Sequence, residues 1–289
     1  MYGAYGKPIL HVFCGIARVA TVNDPHDPLT TIDPTRASVA RVYDAALGGK
    51  DNFAVDRDML AKILVQAPDA FESPRMVRDF GRRAVEFLAR RGIRQFLDLG
   101  SGIPSTPPSV HETAWTIAPD TRVVYVDKDP VVVAHSRALR DVGEGLVSVF
   151  GDVTEPESVF QNPRVLEVLD FSAPVGVLLI SVLQNVLEDD QAQDVVGRIA
   201  DRMAPGSYLA VAHISTRSQP AAMDGVHRSA EQAGYPPTLF REDESIRALF
   251  DRFELVEPGV VDIKDWRPGT TGVKPVNIKL LGGVGYKTD

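Results

Sequence analysis

The sequence has a single cysteine, Cys14, in 289 residues. That excludes an internal disulfide and a cysteine-built zinc site and suits a reducing, cytoplasmic setting, with Cys14 a small apolar side chain or a loosely held thiol. No run approaches the ~20 apolar residues that a membrane span needs. The stretch from Ile9 to Ala20 looks faintly like a secretion signal, but His11, Gly15 and Arg18 interrupt it, and it reads as a disordered or weakly packed extension. Positive charge is in deficit as well. A formal net charge of -8 leaves no broad basic face to grip nucleic acid or an anionic membrane, so a small or neutral partner fits better. Arg82-Arg83 and Arg90-Arg91 form a basic stripe that reads as a solvated helix face. No His-x-x-x-His spacing is present, so no metal site is expected, and there is no internal repeat.

What is present is a β/α alternation. Residues 23–34 are rich in Pro and Asp and read as a linker, with Asp33 and Pro34 as N-cap and N1 of a helix over Thr35 to Leu47 that stops at Gly48-Gly49. Helices are predicted over Val55 to Gln66 and over Pro74 to Arg91, where Met76, Val77, Phe80, Ala84, Val85 and Leu88 share one stripe. Short apolar runs follow as strands: Gln95 to Leu99, Val123 to Val126, Leu146 to Phe150, Val175 to Ser181 and Ser207 to His213. Helical segments at Pro130 to Arg140, Val159 to Leu169 and Asp190 to Met203 are long enough for right-handed crossovers. The tail reads as a helix over Glu242 to Phe250, a strand over Phe253 to Val261 and a final strand over Val276 to Tyr286.

The expected fold is therefore α/β, a Rossmann-like three-layer sandwich. It has a mostly parallel seven-stranded sheet, an antiparallel edge strand and an N-terminal helical cap. The expected divisions are a flexible extension at 1–33, the cap and lead-in helix at 34–92, and the Rossmann-like domain at 93–289.

Chemistry concentrates at strand ends. Phe96-Leu97-Asp98-Leu99-Gly100-Ser101-Gly102-Ile103-Pro104-Ser105 is a strand running into a glycine turn and a helix, where open α/β sheets bind ligands. A dinucleotide fold would cradle pyrophosphate there, but its third glycine position is Ser105, and Asp98 stands just before the turn. S-adenosylmethionine carries an ammonium and a sulfonium instead, which suits a carboxylate such as Asp98. The second strand ends Tyr125-Val126-Asp127-Lys128-Asp129-Pro130, placing Asp127, in preference to Asp129, to accept from both ribose hydroxyls. The third ends Gly151-Asp152-Val153, where Asp152 can accept from the adenine amine while Val153 walls the ring. Any one of these acids alone reads as a solvated loop residue; an acid at each of successive strand ends does not.

This motif order, continued by an apolar strand into Ser181-Val182-Leu183-Gln184-Asn185, resembles that of class I methyltransferases over roughly Gln95 to His213. More narrowly, Ala40-Arg41-Val42-Tyr43-Asp44, Leu47-Gly48-Gly49-Lys50-Asp51-Asn52-Phe53, Leu255-Val256-Glu257-Pro258-Gly259, Trp266-Arg267-Pro268 and Gly282-Gly283-Val284-Gly285 resemble an actinobacterial family. Its members are S-adenosylmethionine-dependent methyltransferases long catalogued as a domain of unknown function. The resemblance implies S-adenosyl-L-methionine as cofactor, held by Asp98, Gly100, Ser101, Gly102, Asp127, Lys128, Asp152, Val153 and Ser181. It also implies N-terminal helices over the pocket, with Tyr43, Lys50 and Asn52 reaching the methionine carboxylate or closing the acceptor site. Alternatively, the glycine pair and Asn52 supply only a helix stop and turn.

Where this family often carries paired histidines, the chain has Gln184 and Asn185, which could orient an acceptor but supply no general base. His213, His111 and Glu112 are the remaining titratable candidates, His213 being an acceptor-site candidate and all of them reading equally as surface or supporting groups. No catalytic residue is assigned. The expected activity is methyl transfer to a small-molecule acceptor, with neither nucleic acid nor membrane as partner. The competing readings are a protein that binds S-adenosylmethionine without turnover and, further behind, a nicotinamide-dependent oxidoreductase.

Overall fold

A computed structural model describes residues 32–104, 108–141, 143–218, 220–268 and 278–289. Cys14, the signal-like stretch, Ser105 and the start of the expected final strand lie outside the described residues. Parallel strands β1 (Gln95–Leu99), β2 (Arg122–Asp127), β3 (Leu146–Phe150), β4 (Gly176–Ile180) and β5 (Tyr208–Ile214) form most of the sheet. The sheet is completed by β6 (Glu254–Leu255), β7 (Val261–Asp262) and β8 (Leu280–Tyr286). The order is β3-β2-β1-β4-β5-β8-β6, with β7 also paired to β8, eight strands among the described residues.

The count exceeds the expected seven because the run from Phe253 to Val261 is not one strand. Pro258 has no N–H to give a ladder, and Gly259 turns the chain with φ +84° between β6 and β7. β8 runs antiparallel to β5, β6 and β7 and stands one place in from the edge, between β5 and β6. Its glycines permit close approach: a Cβ on Gly282 would stand 2.7 Å from Ile263 Cγ2 and 2.9 Å from the Val211 carbonyl oxygen.

Layering follows from the strand period. Phe96 of β1 joins the core of α3 (Ser73–Arg90), with Phe80, Val85 and Leu88. Its neighbours Leu97 and Leu99 join the opposite core, with Val195, Val196 and Ile199 of α8 (Asp189–Arg202) and Ile246 of α10 (Asp243–Ala248). With both faces covered, a strand is buried along its length, as β1 is, and can be apolar throughout, as β4 is.

The cap holds α1 (Val39–Leu47) and α2 (Ala54–Gln66). α1 begins later than Asp33-Pro34 suggests. Asp33 is spent on a local turn, accepting from Thr35 N at 2.8 Å, and the Ser38 side chain caps the helix by accepting from Arg41 N. Behind Ser38, the buried Asp56 carboxylate accepts from Ser38 N at 3.0 Å, Phe53 N at 2.8 Å and Arg41 Nε at 2.8 Å, which ties α1 to α2. A helix the sequence pattern leaves unassigned, α9 (Pro220–Gln232), packs on α2, with Ala230 beside Met59 and Val42.

Between them lie α4 (Val110–Trp115), α5 (Pro130–Leu139), α6 (Pro156–Phe160) and α7 (Pro163–Leu166). The expected helix from Val159 to Leu169 is broken at Asn162-Pro163, where Asn162 caps a new start by accepting from Arg164 N at 3.0 Å. Strand order reverses on either side of β1, so the crevice beyond the C-terminal ends of β1, β2 and β4 is where this topology leaves room for a ligand.

Candidate functional site

That crevice is a cavity of about 730 Å3, within the roughly 300–1,000 Å3 usual for cofactor sites. Asp98 reaches it from β1 and is 8% exposed. Burial pushes its carboxyl up to about 6, against the pull of the Arg140 and Arg78 guanidiniums and with a further push from Asp127. No donor among the described residues hydrogen-bonds it. It is a buried acceptor with capacity to spare, and such groups carry a cost until something pairs with them.

The turn after β1 is held by Gly100 N and Ser101 N donating to Val126 O at 2.8 and 3.0 Å. Gly100 has φ +75°, and a Cβ there would stand 2.3 Å from Val182 Cγ2, so both conformation and space require glycine. Asp127 closes the turn: Oδ2 accepts from Gly102 N and Oδ1 from Asp129 N, each at 2.9 Å. These bonds fix the carboxylate while leaving lone pairs toward the cavity, which it lines. Burial raises this carboxyl too, to about 6, although both backbone donors pull it down. Asp129 caps α5 through Val131 N at 2.9 Å.

On the far side, Gly151, Val153 and Thr154 line the cavity. Asp152 is turned to Thr154, accepting from its N and Oγ1 at 2.9 Å, and to Lys128 Nζ at 3.3 Å. Burial pushes its carboxyl up, but these hydrogen bonds and the lysine charge outweigh it and hold the group below its ordinary value. Lys128 lines the cavity mouth.

Two arginines that the sequence pattern does not single out complete the wall. Arg140, 3% exposed, lies 4.2 Å over the Tyr125 ring, and its Nε is buried without a partner. Arg78 donates to Ile103 O at 2.9 Å and faces Tyr43, its Cζ 6.0 Å from the ring centroid. Arg78 stands on α3 and Arg140 directly follows α5, so no strand-end pattern reveals them. Ser101 Oγ and Asn185 Oδ1 are likewise buried at the cavity without a partner. A buried carboxylate open to a cation, the unpaired Arg140 Nε and a second acid on the next strand fit the amino-acid and ribose ends of S-adenosylmethionine.

Tyr43 lines the cavity from α1 and donates to Pro74 O at 2.9 Å, its hydroxyl pushed up to about 12 by burial. Lys50 and Asn52 do not reach the cavity. Asn52 Nδ2 donates to Asp44 Oδ2 at 2.8 Å and to Gly49 O at 3.1 Å, and Asp51 N donates to the same carboxylate at 3.0 Å. The Gly48 to Phe53 segment is thus folded around Asp44 and serves as a helix stop and turn, while Lys50 stays exposed.

Ser181 lines the cavity at the end of β4 with φ +63°, strain of about 1–3 kcal/mol for a non-glycine residue. It donates to Gln184 Oε1 at 3.0 Å. His213 is fully buried away from the cavity. Its Nε2 accepts from Arg241 Nη1 at 2.7 Å, which places the ring proton on Nδ1, donating to Ile214 O at 2.8 Å. Burial holds this imidazole down at about 4, so it is neutral. Arg241 also donates to the carbonyls of Leu183 and Val186 at 2.9 and 2.7 Å and so fixes the segment bearing Gln184 and Asn185. His111 is tied to Tyr125 Oη at 2.7 Å, and Glu112 accepts from Ser109 N at 2.7 Å to cap α4. The arginine stripe is broken up: Arg82 pairs with Asp79 and Glu86, while Arg83 is buried and donates to Trp266 O at 3.1 Å. Among the described residues no helix is long and apolar enough to cross a membrane.

The sequence profile of the S-adenosyl methyltransferase family matches residues 25–288. The chain belongs to that family. Among solved structures it is similar to a candidate methyltransferase from Thermobifida fusca YX, at 38% identity over 93% of this chain and 100% of that one, with a TM-score of 0.82. It is similar also to a DUF574 family protein from Streptomyces avermitilis MA-4680, at 35% identity over 89% of this chain and 100% of that one, TM-score 0.84. No protein with a curated description matches the chain. Membership makes it an S-adenosylmethionine-dependent methyltransferase and sets the nicotinamide reading aside.

Proposed function

We propose that this methyltransferase acts on a small-molecule acceptor and holds its cofactor between Asp98, Asp127 and the Arg78/Arg140 pair. The observation that carries the reading is Asp98, a buried carboxylate that lines the cavity, has no hydrogen-bond donor among the described residues and stands beside two guanidiniums. Such a wall matches an α-amino acid zwitterion, ammonium to Asp98 and carboxylate to arginine. Asp127, fixed by two backbone donors, takes the ribose hydroxyls, and Val153 walls the adenine.

Bound S-adenosylmethionine supplies a methyl carbon activated by a cationic sulfur. The chain's part is to hold the reactants in line and exclude water. Asp98 and Asp127 are committed to cofactor, Asp129 caps α5, Tyr43 is held protonated and His213 is turned away, so none of these residues supplies a base to the acceptor. A net charge of -8 supports a small acceptor over nucleic acid.

Calorimetric titration with S-adenosylmethionine, S-adenosylhomocysteine and NAD tests the cofactor site. The first two are expected to bind and NAD not. Asp127→Ala should weaken binding by about 1–3 kcal/mol, since it removes a charged acceptor for two hydroxyls. Unchanged affinity in a folded Asp127→Ala protein would overturn the ribose assignment.

A further inference from the structure

Behind the cofactor cavity lies a second chamber of about 170 Å3. Tyr43, Val77 and Ser181 are wall residues of both, so the two spaces adjoin at these side chains. The chamber is otherwise built from apolar side chains, among them Ile63, Ile214, Val226, Phe240 and Leu280, and among the described residues no charged side chain lines it. Its polar atoms are few. Ser73 Oγ is buried with no partner. Gln184 receives the Ser181 hydroxyl on Oε1, which leaves its Nε2 donor directed elsewhere. Next along the chain, Asn185 turns Nδ2 to Val182 O at 3.1 Å and leaves its buried Oδ1 unpaired at the main cavity.

We infer that this chamber is the methyl-acceptor subsite and takes a neutral, single-ring aromatic amine. The inference rests on the methyltransferase reading of the larger cavity. Size sets the ring count: an apolar cavity of ~150 Å3 holds one benzene ring. The lining sets the charge, because an ionised ring substituent would be desolvated among aliphatic walls with nothing to pair it. The polar atoms set the reacting group. Asn185 Oδ1, on the cofactor-cavity side, accepts from an amine N–H that reaches past the shared wall residues, so the nitrogen stands at the junction with the cofactor cavity.

An amine also suits a site without a base. The nitrogen lone pair forms the new N–CH3 bond, the S–CH3 bond breaks with its electrons going to sulfur, and the resulting ammonium releases its proton to water. A phenol would have to lose its proton first, and Tyr43, pushed up to about 12, takes none.

The test uses 4-fluoroaniline as probe and 4-fluorobenzoate as charged control, followed by 19F NMR on the full chain saturated with S-adenosylhomocysteine. Ala70→Phe and Val226→Phe each add a ring to a partly exposed chamber wall, one from the Pro68–Glu72 turn and one from α9. The aniline is expected to bind the wild type, to weaken at least tenfold in both variants, and to outcompete the benzoate, while S-adenosylhomocysteine affinity stays within twofold throughout. Retained cofactor affinity certifies the fold of each variant. Equal aniline binding in wild type and variants, equal binding of the benzoate, or no aniline binding to the loaded protein overturns the acceptor assignment alone. Failure of S-adenosylhomocysteine to bind the wild type overturns the cofactor reading and the subsite with it.

Discussion

Asp98 and Asp127 are each raised by burial from an ordinary 3.8 to about 6, and the direction sets a pH signature. In the unliganded protein the folded state holds these protons more tightly than the unfolded chain does. Their destabilising contribution is therefore full above about 6 and is relieved as pH falls toward 3.8. Cofactor binding moves the other way, because an ammonium needs the carboxylate form. Between pH 7 and 5 the unliganded melting temperature should hold or rise while S-adenosylmethionine affinity falls, measured by scanning fluorimetry and calorimetry; affinity flat across that range would remove Asp98 from the ammonium site. Asp98→Asn should raise the unliganded melting temperature and weaken S-adenosylmethionine at least tenfold. Both acids are legible in sequence because a strand followed by a glycine turn dictates where its last side chains stand. Arg78 and Arg140 are not legible, since helix residues reach the crevice only through packing. Asn52 finds its partner in its own loop, where it and Asp51 N donate to Asp44, while Lys50 stays exposed, and sequence alone does not separate such turn chemistry from a ligand contact.

At the scale of elements, the lead-in and start of α1 line the cofactor cavity, and α1 is fastened to α2 chiefly through Asp56. Asp56→Ala would leave the Arg41 guanidinium buried without its main partner, a change that costs about 3–5 kcal/mol. The expected outcome is rapid proteolytic cutting between residues 38 and 53 in the unliganded variant, with far-ultraviolet circular dichroism showing the sheet retained. Resistance equal to wild type would show that apolar packing alone holds α1. Most elements follow from hydrophobic period and from glycine and proline punctuation. The breaks at Asn162-Pro163 and Pro258-Gly259 carry their own local signals, yet a long apolar window reads across both. α9 escapes for a different reason: among its described side chains Ala230 joins the cluster with α2, and a small residue of that kind leaves a weak signal in the sequence.

At the scale of the molecule, the cavity draws its walls from α1, α3, the turns after β1 to β4, and Pro236-Pro237, so a bound cofactor bridges cap and sheet. S-adenosylhomocysteine at 100 times its dissociation constant should stabilise the fold by ~2.7 kcal/mol. A rise of several degrees in melting temperature is expected, together with protection of the cap from protease, whereas NAD should change neither. A melting rise without protection of residues 38–53 would mean that the ligand is held by the sheet side alone.

The position of β8 bears on how the molecule is made. Residues 280–286 occupy the slot between β5 and β6, more than sixty residues after β5 leaves the ribosome. Until that late segment arrives, the Tyr208–Ile214 edge has its backbone groups open along a strand that is almost wholly apolar. The nascent chain therefore passes through an interval in which the half-built sheet is most prone to pairing with a neighbour, and synthesis rate or chaperone cover over residues 215–286 governs its yield more than the strength of the finished core.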